Sequence, residues 1–167
     1  ICSQLPKVPN IWLDTLFLIQ YIRFESMVIL GSTSKYRKSL LNRLGIQFES
    51  LAPHCDEDGF KNQIKDPREL AVVLAREKAR SLVKNLSASD IVIGADQVAA
   101  LEDEILGKPH TREKAFHQLK KLQGKTHHLI TAVCVIQGAQ EYPLLNITEL
   151  EMRPLSDGEI QRYIESD

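Results

Sequence analysis

Cysteine is scarce in this chain: only Cys2, Cys55 and Cys134 occur among 167 residues. Three is an odd number, and the spacing forms neither a CxxC pair nor a zinc pattern, which argues against a disulfide framework or a structural zinc site. Reduced thiols and a cytoplasmic location are the simplest reading, with Cys134, inside an apolar run, serving as a small core residue. An excess of charge is also missing, with Lys+Arg 21 against Asp+Glu 22 and a formal net charge of -1. That balance is not the footprint of a protein that coats nucleic acid, so no nucleic-acid polymer is expected as a partner. No long hydrophobic run occurs either. The densest apolar stretch, residues 11–24, is broken by Asp14 and Arg23 and is too short for a transmembrane helix. It has no basic lead-in beyond Lys7 and no small-residue cleavage site, so it reads poorly as a signal peptide, and no membrane is expected as a partner. Repeats and low-complexity tracts are absent, and 43% hydrophobic with 26% charged residues is an ordinary globular balance. The length suits one domain or two small lobes.

What is present alternates between strand and helix. The chain opens with Ile1, and its first methionine is Met27, followed at once by the apolar Val28-Ile29-Leu30. The domain is therefore expected over 27–167, with residues 1–26 an N-terminal extension outside it. The pattern predicts a strand over 27–31, then a helix N-capped by Ser34 and running to about Leu44, where Gly45 stops it. A second strand is expected over 46–51, followed by a polar loop holding Cys55-Asp56-Glu57-Asp58-Gly59. Asp66-Pro67-Arg68-Glu69 sets Asp at the N-cap, Pro at N1 and Glu at N3 of a helix reaching about Leu86. Ala71, Leu74, Ala75, Lys78 and Leu82 share one of its faces. A buried strand over 90–94, a hairpin over 99–106 turning near Glu102-Asp103, and a helix over 111–122 follow. Two antiparallel strands over 129–136 and 142–152 come next, and Ser156-Asp157-Gly158-Glu159 forms a capping box for a last helix. The class is α/β with a mixed sheet.

Four groups of residues could carry chemistry. Gly31-Ser32-Thr33-Ser34-Lys35-Tyr36-Arg37-Lys38 joins a strand to a helix with hydroxyls, cations and no carboxylate. Free N–H groups, the helix dipole and the cations favour a phosphate there, although an ordinary N-cap with solvated basic residues has the same composition. The GxxxxGK[ST] spacing of a P-loop is absent. Asp96, in Gly94-Ala95-Asp96-Gln97, falls at the end of a buried strand, where a carboxylate can act as general base, hold Mg²⁺ or merely support a turn. The acidic run Asp56-Glu57-Asp58 offers hard oxygen ligands for Mg²⁺ or Mn²⁺, with Asp58 read as a solvated charge. Lys78 stands on an apolar helix face and needs a partner, a cleft or a path to the surface. Lys108, in Gly107-Lys108-Pro109, could likewise neutralise phosphate charge. His54, His110, His117, His127 and His128 show no HExxH spacing and are read as structural. Phosphates, a divalent ion and a base together suggest phosphoanhydride hydrolysis.

These residues resemble the Maf family of nucleotide pyrophosphatases. The likeness runs through Leu30-Gly31-Ser32-Thr33-Ser34-Lys35-Tyr36-Arg37-Lys38-Ser39-Leu40-Leu41, Phe48-Glu49, Asp56-Glu57, Leu74-Ala75-Arg76-Glu77-Lys78-Ala79, Ile93-Gly94-Ala95-Asp96-Gln97-Val98, Gly107-Lys108-Pro109 and Leu155-Ser156-Asp157-Gly158-Glu159-Ile160. The resemblance implies a cytoplasmic, metal-dependent enzyme that cuts a nucleoside triphosphate between its α and β phosphates. It also implies a fold similar to inosine-triphosphate pyrophosphatases, with a cleft between two lobes. By the same resemblance Asp96 is the proton acceptor, Ser32, Arg37, Lys78 and Lys108 hold phosphates, and Glu57 with Asp96 holds Mg or Mn. Tyr36 and Gln97 resemble the 7-methyl-GTP branch, whereas the dTTP/UTP branch tends to Arg and Thr at these positions. An aromatic ring can stack on a cationic methylated guanine. Two departures stand out: Lys35 replaces a usual Pro, and the chain ends before the family's Gly-rich C-terminal segment, as a C-terminally truncated domain would. The expected partner is a modified nucleoside triphosphate, a homodimer being left open. The alternative role is a nucleotide-binding regulator of cell division or septum formation without turnover.

Overall fold

The computed structural model describes residues 26–84 and 86–166. The expectation for residues 1–26 thus lies, Ser26 apart, outside the described residues. In chain order the elements are β1 (Val28–Gly31), α1 (Lys35–Asn42), β2 (Glu49–Leu51), α2 (Glu57–Gln63), α3 (Pro67–Val83), β3 (Ile91–Leu101), β4 (Glu104–Leu106), α4 (Arg112–Leu122), β5 (Thr126–Gln137), β6 (Gln140–Glu151) and α5 (Asp157–Ser166). Local chemistry sets most of these boundaries. The side chains of Ser34, Asp66 and Thr111 cap α1, α3 and α4 by accepting backbone N–H bonds. At α5, Ser156 Oγ accepts from Glu159 N while the Glu159 carboxylate accepts from Ser156 N, a reciprocal box.

The strands form one six-stranded mixed sheet in the order β2-β1-β3-β5-β6, with β4 on β3. β1 pairs parallel with both β2 and β3, and β3, β5 and β6 pair antiparallel. The chain steps from β1 to β2 in one direction and from β2 past β1 to β3 in the other. Right-handed crossovers then put α1 and α3 on opposite faces. The core divides accordingly. Leu70, Ala71, Leu74, Ala75 and Ala79 of α3 pack on Val92, Ala132 and Cys134. Leu41 of α1 packs on Leu30, Ile93, Ala95 and Val133 of the other face.

Several elements differ from the sequence expectation, including β5, which starts at Thr126 and not at 129, and α3, which ends at Val83. Residues 57–63 form the helix α2, not a loop, because Asp56 caps it by accepting from Gly59 N at 3.0 Å. β2 is reduced to three residues. β3 runs unbroken through Gly94 to Leu101, where a stop at Gly94 and a separate hairpin strand were expected. The turn at Glu102-Asp103 is as expected, with Glu102 at a φ of 55°. Among the described residues no helix is long and apolar enough to cross a membrane.

Candidate active site

β5 covers one edge of β3 from Ile91 to Ala100. On the other edge β1 pairs with Ile91–Gly94 and β4 with Ala99–Leu101. Between them Ala95 to Val98 has no strand beside it, just past the point where β1 ends. Because the strand order reverses between β1 and β3, this is a topological switch point, the place where α/β sheets gather ligands.

Gly94 brings α3 down onto this point. A methyl group on Gly94 would meet Ala75 O at 2.1 Å and Ala79 N at 2.6 Å, so only glycine admits the helix this close. Lys78, on the same turn of α3, thereby reaches Asp96, two residues along the strand on the same face. Its ammonium lies 2.6 Å from Asp96 Oδ1 and 2.9 Å from Glu57 Oε1. Lys78 is only 5% exposed and Asp96 is also buried. The sequence left snorkelling open for Lys78, and the structure turns it inward to two carboxylates. Asp96 Oδ2 has no hydrogen-bond partner among the described residues, so one lone-pair-bearing oxygen remains available.

Glu57 owes its position to the unforeseen helix α2, where it is the first residue. Its other oxygen takes Lys61 at 3.4 Å. Partial burial pushes the Glu57 carboxyl up, but the hydrogen bond and charge of Lys78, helped by Lys61, outweigh it and hold the group below the usual carboxylate value. Asp58 turns to solvent, in line with its reading as a solvated charge. Cys55 lies beside the same charges, and burial pushes its thiol up, so it stays protonated at neutral pH.

Ser32 is buried at the end of β1, and its Oγ accepts from Ser34 N at 3.2 Å and from Arg37 Nη1 at 3.4 Å. Ser50 Oγ donates to the Ser32 carbonyl and fixes the loop to β2. Tyr36, in the first turn of α1, is 72% exposed. Gln97 points to the α1 face, opposite to Asp96, and its Nε2 donates to Thr131 Oγ1 at 2.8 Å. Lys108 is exposed in the loop after β4.

The structure therefore brings together Glu57, Lys78 and Asp96, and separately Ser32 and Arg37. Among the described residues it gives Arg37, Lys108, Tyr36 and Gln97 no direct contact with the carboxylates. Gly94, Ser50 and Thr131 support the site; the sequence motif includes Gly94 without revealing its packing role, and it points to neither Ser50 nor Thr131. Only contacts across the fold identify them: the approach of Ala75 and Ala79 to Gly94, the bond from Ser50 to the Ser32 carbonyl, and the register that sets Thr131 opposite Gln97. No group of three or more His, Cys, Asp and Glu side chains is placed to hold a metal among the described residues. A groove of about 500 Å³ lies elsewhere, between α4 and α5.

A family model described as Maf-like protein matches residues 27–167. The 7-methyl-GTP pyrophosphatase of Bdellovibrio bacteriovorus is 43% identical over 143 residues, spanning 86% of this chain and 74% of that protein. The 7-methyl-GTP pyrophosphatase of Xanthomonas oryzae pv. oryzae is 41% identical over 140 residues, spanning 84% of this chain and 72% of that one. The dTTP/UTP pyrophosphatase of Thermococcus kodakarensis is 38% identical over 138 residues, spanning 83% and 72%. Among solved structures, an S-adenosylmethionine-dependent methyltransferase from Clostridium acetobutylicum gives a TM-score of 0.22 at 9% identity, a level from which no shared fold follows.

Proposed function

This chain belongs to the Maf family, and on that premise we propose that it is a cytoplasmic nucleotide pyrophosphatase that cuts a nucleoside triphosphate to a monophosphate and pyrophosphate, with 7-methyl-GTP preferred. One observation carries the reading: a buried lysine ties two carboxylates together at the switch point, just past the end of β1, whose loop leads into the hydroxyl- and cation-rich start of α1. This reading places the triphosphate in a cleft at the open edge of β3, between the end of β1 and the end of β4.

There the residues divide the work. Asp96 accepts the proton of the attacking water through its open oxygen. The α–β P–O bond then breaks and pyrophosphate leaves. Ser32, Arg37 and the N–H groups at the start of α1 hold phosphate oxygens. Lys78 and Lys108 offset the charge that develops on the leaving group. Two carboxylates converging on one cation are also the donor set Mg²⁺ or Mn²⁺ takes when phosphate oxygens complete its shell, so Glu57 and Asp96 fit a divalent ion. Bound there, such an ion would polarise the phosphoryl oxygens.

Substrate choice falls to the α1 side. The exposed ring of Tyr36 can stack on a base, and a cation–π contact with a methylated guanine is worth about 0.5–2 kcal/mol, or up to about thirtyfold in preference. Gln97 keeps its amide oxygen available for a base edge while Thr131 steadies its nitrogen. The names of the relatives include both 7-methyl-GTP and dTTP/UTP, so the test is direct. Steady-state kcat/KM for 7-methyl-GTP, UTP and dTTP, with products identified, should favour 7-methyl-GTP and yield pyrophosphate. Tyr36→Ala should erode that preference. A ratio untouched by Tyr36→Ala refutes the stacking role, a wild-type preference for UTP refutes the substrate assignment, and tight binding without turnover refutes the activity.

A further inference from the structure

The ammonium of Lys78 lies where a cation shared by Glu57 and Asp96 would lie, 2.9 Å from one carboxylate and 2.6 Å from the other. We propose that Lys78 is an exchangeable internal cation: it holds the two carboxylates together in the free protein and is displaced when a divalent ion enters between them. The inference rests on the proposed function only for the phosphates that would receive the displaced ammonium.

Charge supports exchange over coexistence. Two neighbouring carboxylates, one of them buried, repel each other and need a positive partner. With Lys78 between them the group carries one net negative charge. A divalent ion in place of the ammonium makes it neutral. Both cations together would leave excess positive charge in a partly dry site, where repulsion is least screened. The geometry offers a route: the Glu57 side chain is 42% exposed whereas that of Lys78 is 6% exposed, so an ion reaches the pair from the Glu57 side. Lysine has a flexible four-carbon stem and can withdraw, which a planar guanidinium in a fixed fork does less readily. The free protein should therefore bind divalent ions weakly, and substrate phosphates should strengthen that binding by giving the ammonium a new partner.

The test needs no turnover. Mn²⁺ is titrated into the full chain without nucleotide and free Mn²⁺ is read by electron paramagnetic resonance. Lys78→Met should bind Mn²⁺ tighter than wild type, on the order of ten- to a hundredfold, because a competing charge has gone. Lys78→Arg should show no such gain. Equal or weaker binding by Lys78→Met overturns the proposal. The wild-type protein supplies an independent measurement if Lys78→Met does not fold. Acetylation of Lys78, followed by mass spectrometry, should be slow in the free protein and several-fold faster with Mn²⁺. A rate unchanged by Mn²⁺ also overturns it. Failure of the pyrophosphatase reading shows up separately, as absence of triphosphate turnover, and would leave the Mn²⁺ result standing.

Discussion

Replacing Gly94 by alanine should disable the site from beneath. Gly94 does not have a positive φ, so the residue is not there to make a turn. Its role is close approach: an added methyl group meets Ala75 O at 2.1 Å, Ala79 N at 2.6 Å and Ala79 Cβ at 2.9 Å. Ordinary contact begins near 3.4 Å, so α3 must lift by roughly an ångström or β3 must bend away. Two effects of opposite sign then compete. Alanine in a strand regains about 0.5–1 kcal/mol that glycine loses in conformational entropy. Overpacking costs about 1–3 kcal/mol, and backbone atoms, unlike a flexible side chain, cannot rotate aside. The clash wins, with a net loss of about 1–2 kcal/mol and a fall in Tm of about 2–8 °C for a chain of this size. The functional effect is larger. Lys78 lies on the turn between Ala75 and Ala79, so a lifted helix carries its ammonium away from the 2.6 Å contact with Asp96. A displacement of about 1 Å at a reacting centre can cost about a hundredfold in rate. Thermal melts and pyrophosphate release measured on the same Gly94→Ala sample decide the matter. Unchanged Tm together with full activity would refute the claim that glycine sets the height of α3.

Three further outcomes are expected. Asp96→Asn keeps an acceptor for Lys78 but loses the base, so kcat should fall about 10²–10⁴-fold with the protein still folded, and retained turnover would dismiss Asp96 as proton acceptor. Glu159 is held down to about 2 by hydrogen bonds from the backbone and hydroxyl of Ser156 and by Arg153. Its folded value lies below its ordinary one of 4.5, so its contribution is present above about 4.5 and is lost as pH falls toward about 2. Urea melts should show wild type more stable than Glu159→Gln above this window, with the gap closing through it, and a gap independent of pH would count against the capping box. Asp90 Oδ1 accepts from Met27 N at 3.0 Å, so a chain beginning at Met27 would place its α-ammonium on that carboxylate. Such a chain should match the full one in denaturant melts, and a deficit of several kcal/mol would show that residues before Met27 belong to the domain.

What could be read from the sequence follows the range of the interactions. The starts of α1, α3 and α5 are legible because Ser34, Asp66 and Ser156 act on N–H groups two or three residues away. The apolar face of α3, with Lys78 on it, was legible for the same reason: helical period is a local property. α2 was not, because an acidic run with a glycine and no apolar stripe resembles a solvated loop, and only the bond from Gly59 N to Asp56 marks the cap. Nor was the continuity of β3. Gly94 looks like a stop when strands are read singly, but its role is set by Ala75 and Ala79, far away in the chain. β3 also changes partner on one edge, from β1 to β4, without itself ending.

The deepest gap concerns Asp96 and Gln97, which the sequence presents as one motif. Successive side chains of a strand leave opposite faces of the sheet. Asp96 therefore meets Lys78 under α3, and Gln97 meets Thr131 on the side of α1. The split follows from topology, since right-handed crossovers in opposite directions must put α1 and α3 on opposite sides. A ligand touched by both residues cannot lie flat on either face. It has to cross the edge of β3 at Ala95 to Val98, the stretch flanked by the end of β1 and the end of β4. Phosphates held near Ser32, Arg37 and the Lys78 pair, with a base turned toward Tyr36 and Gln97, satisfy that requirement. On this geometry changes at Tyr36 or Gln97 should alter which base is preferred, while changes at Lys78 or Asp96 should alter the rate for every base alike.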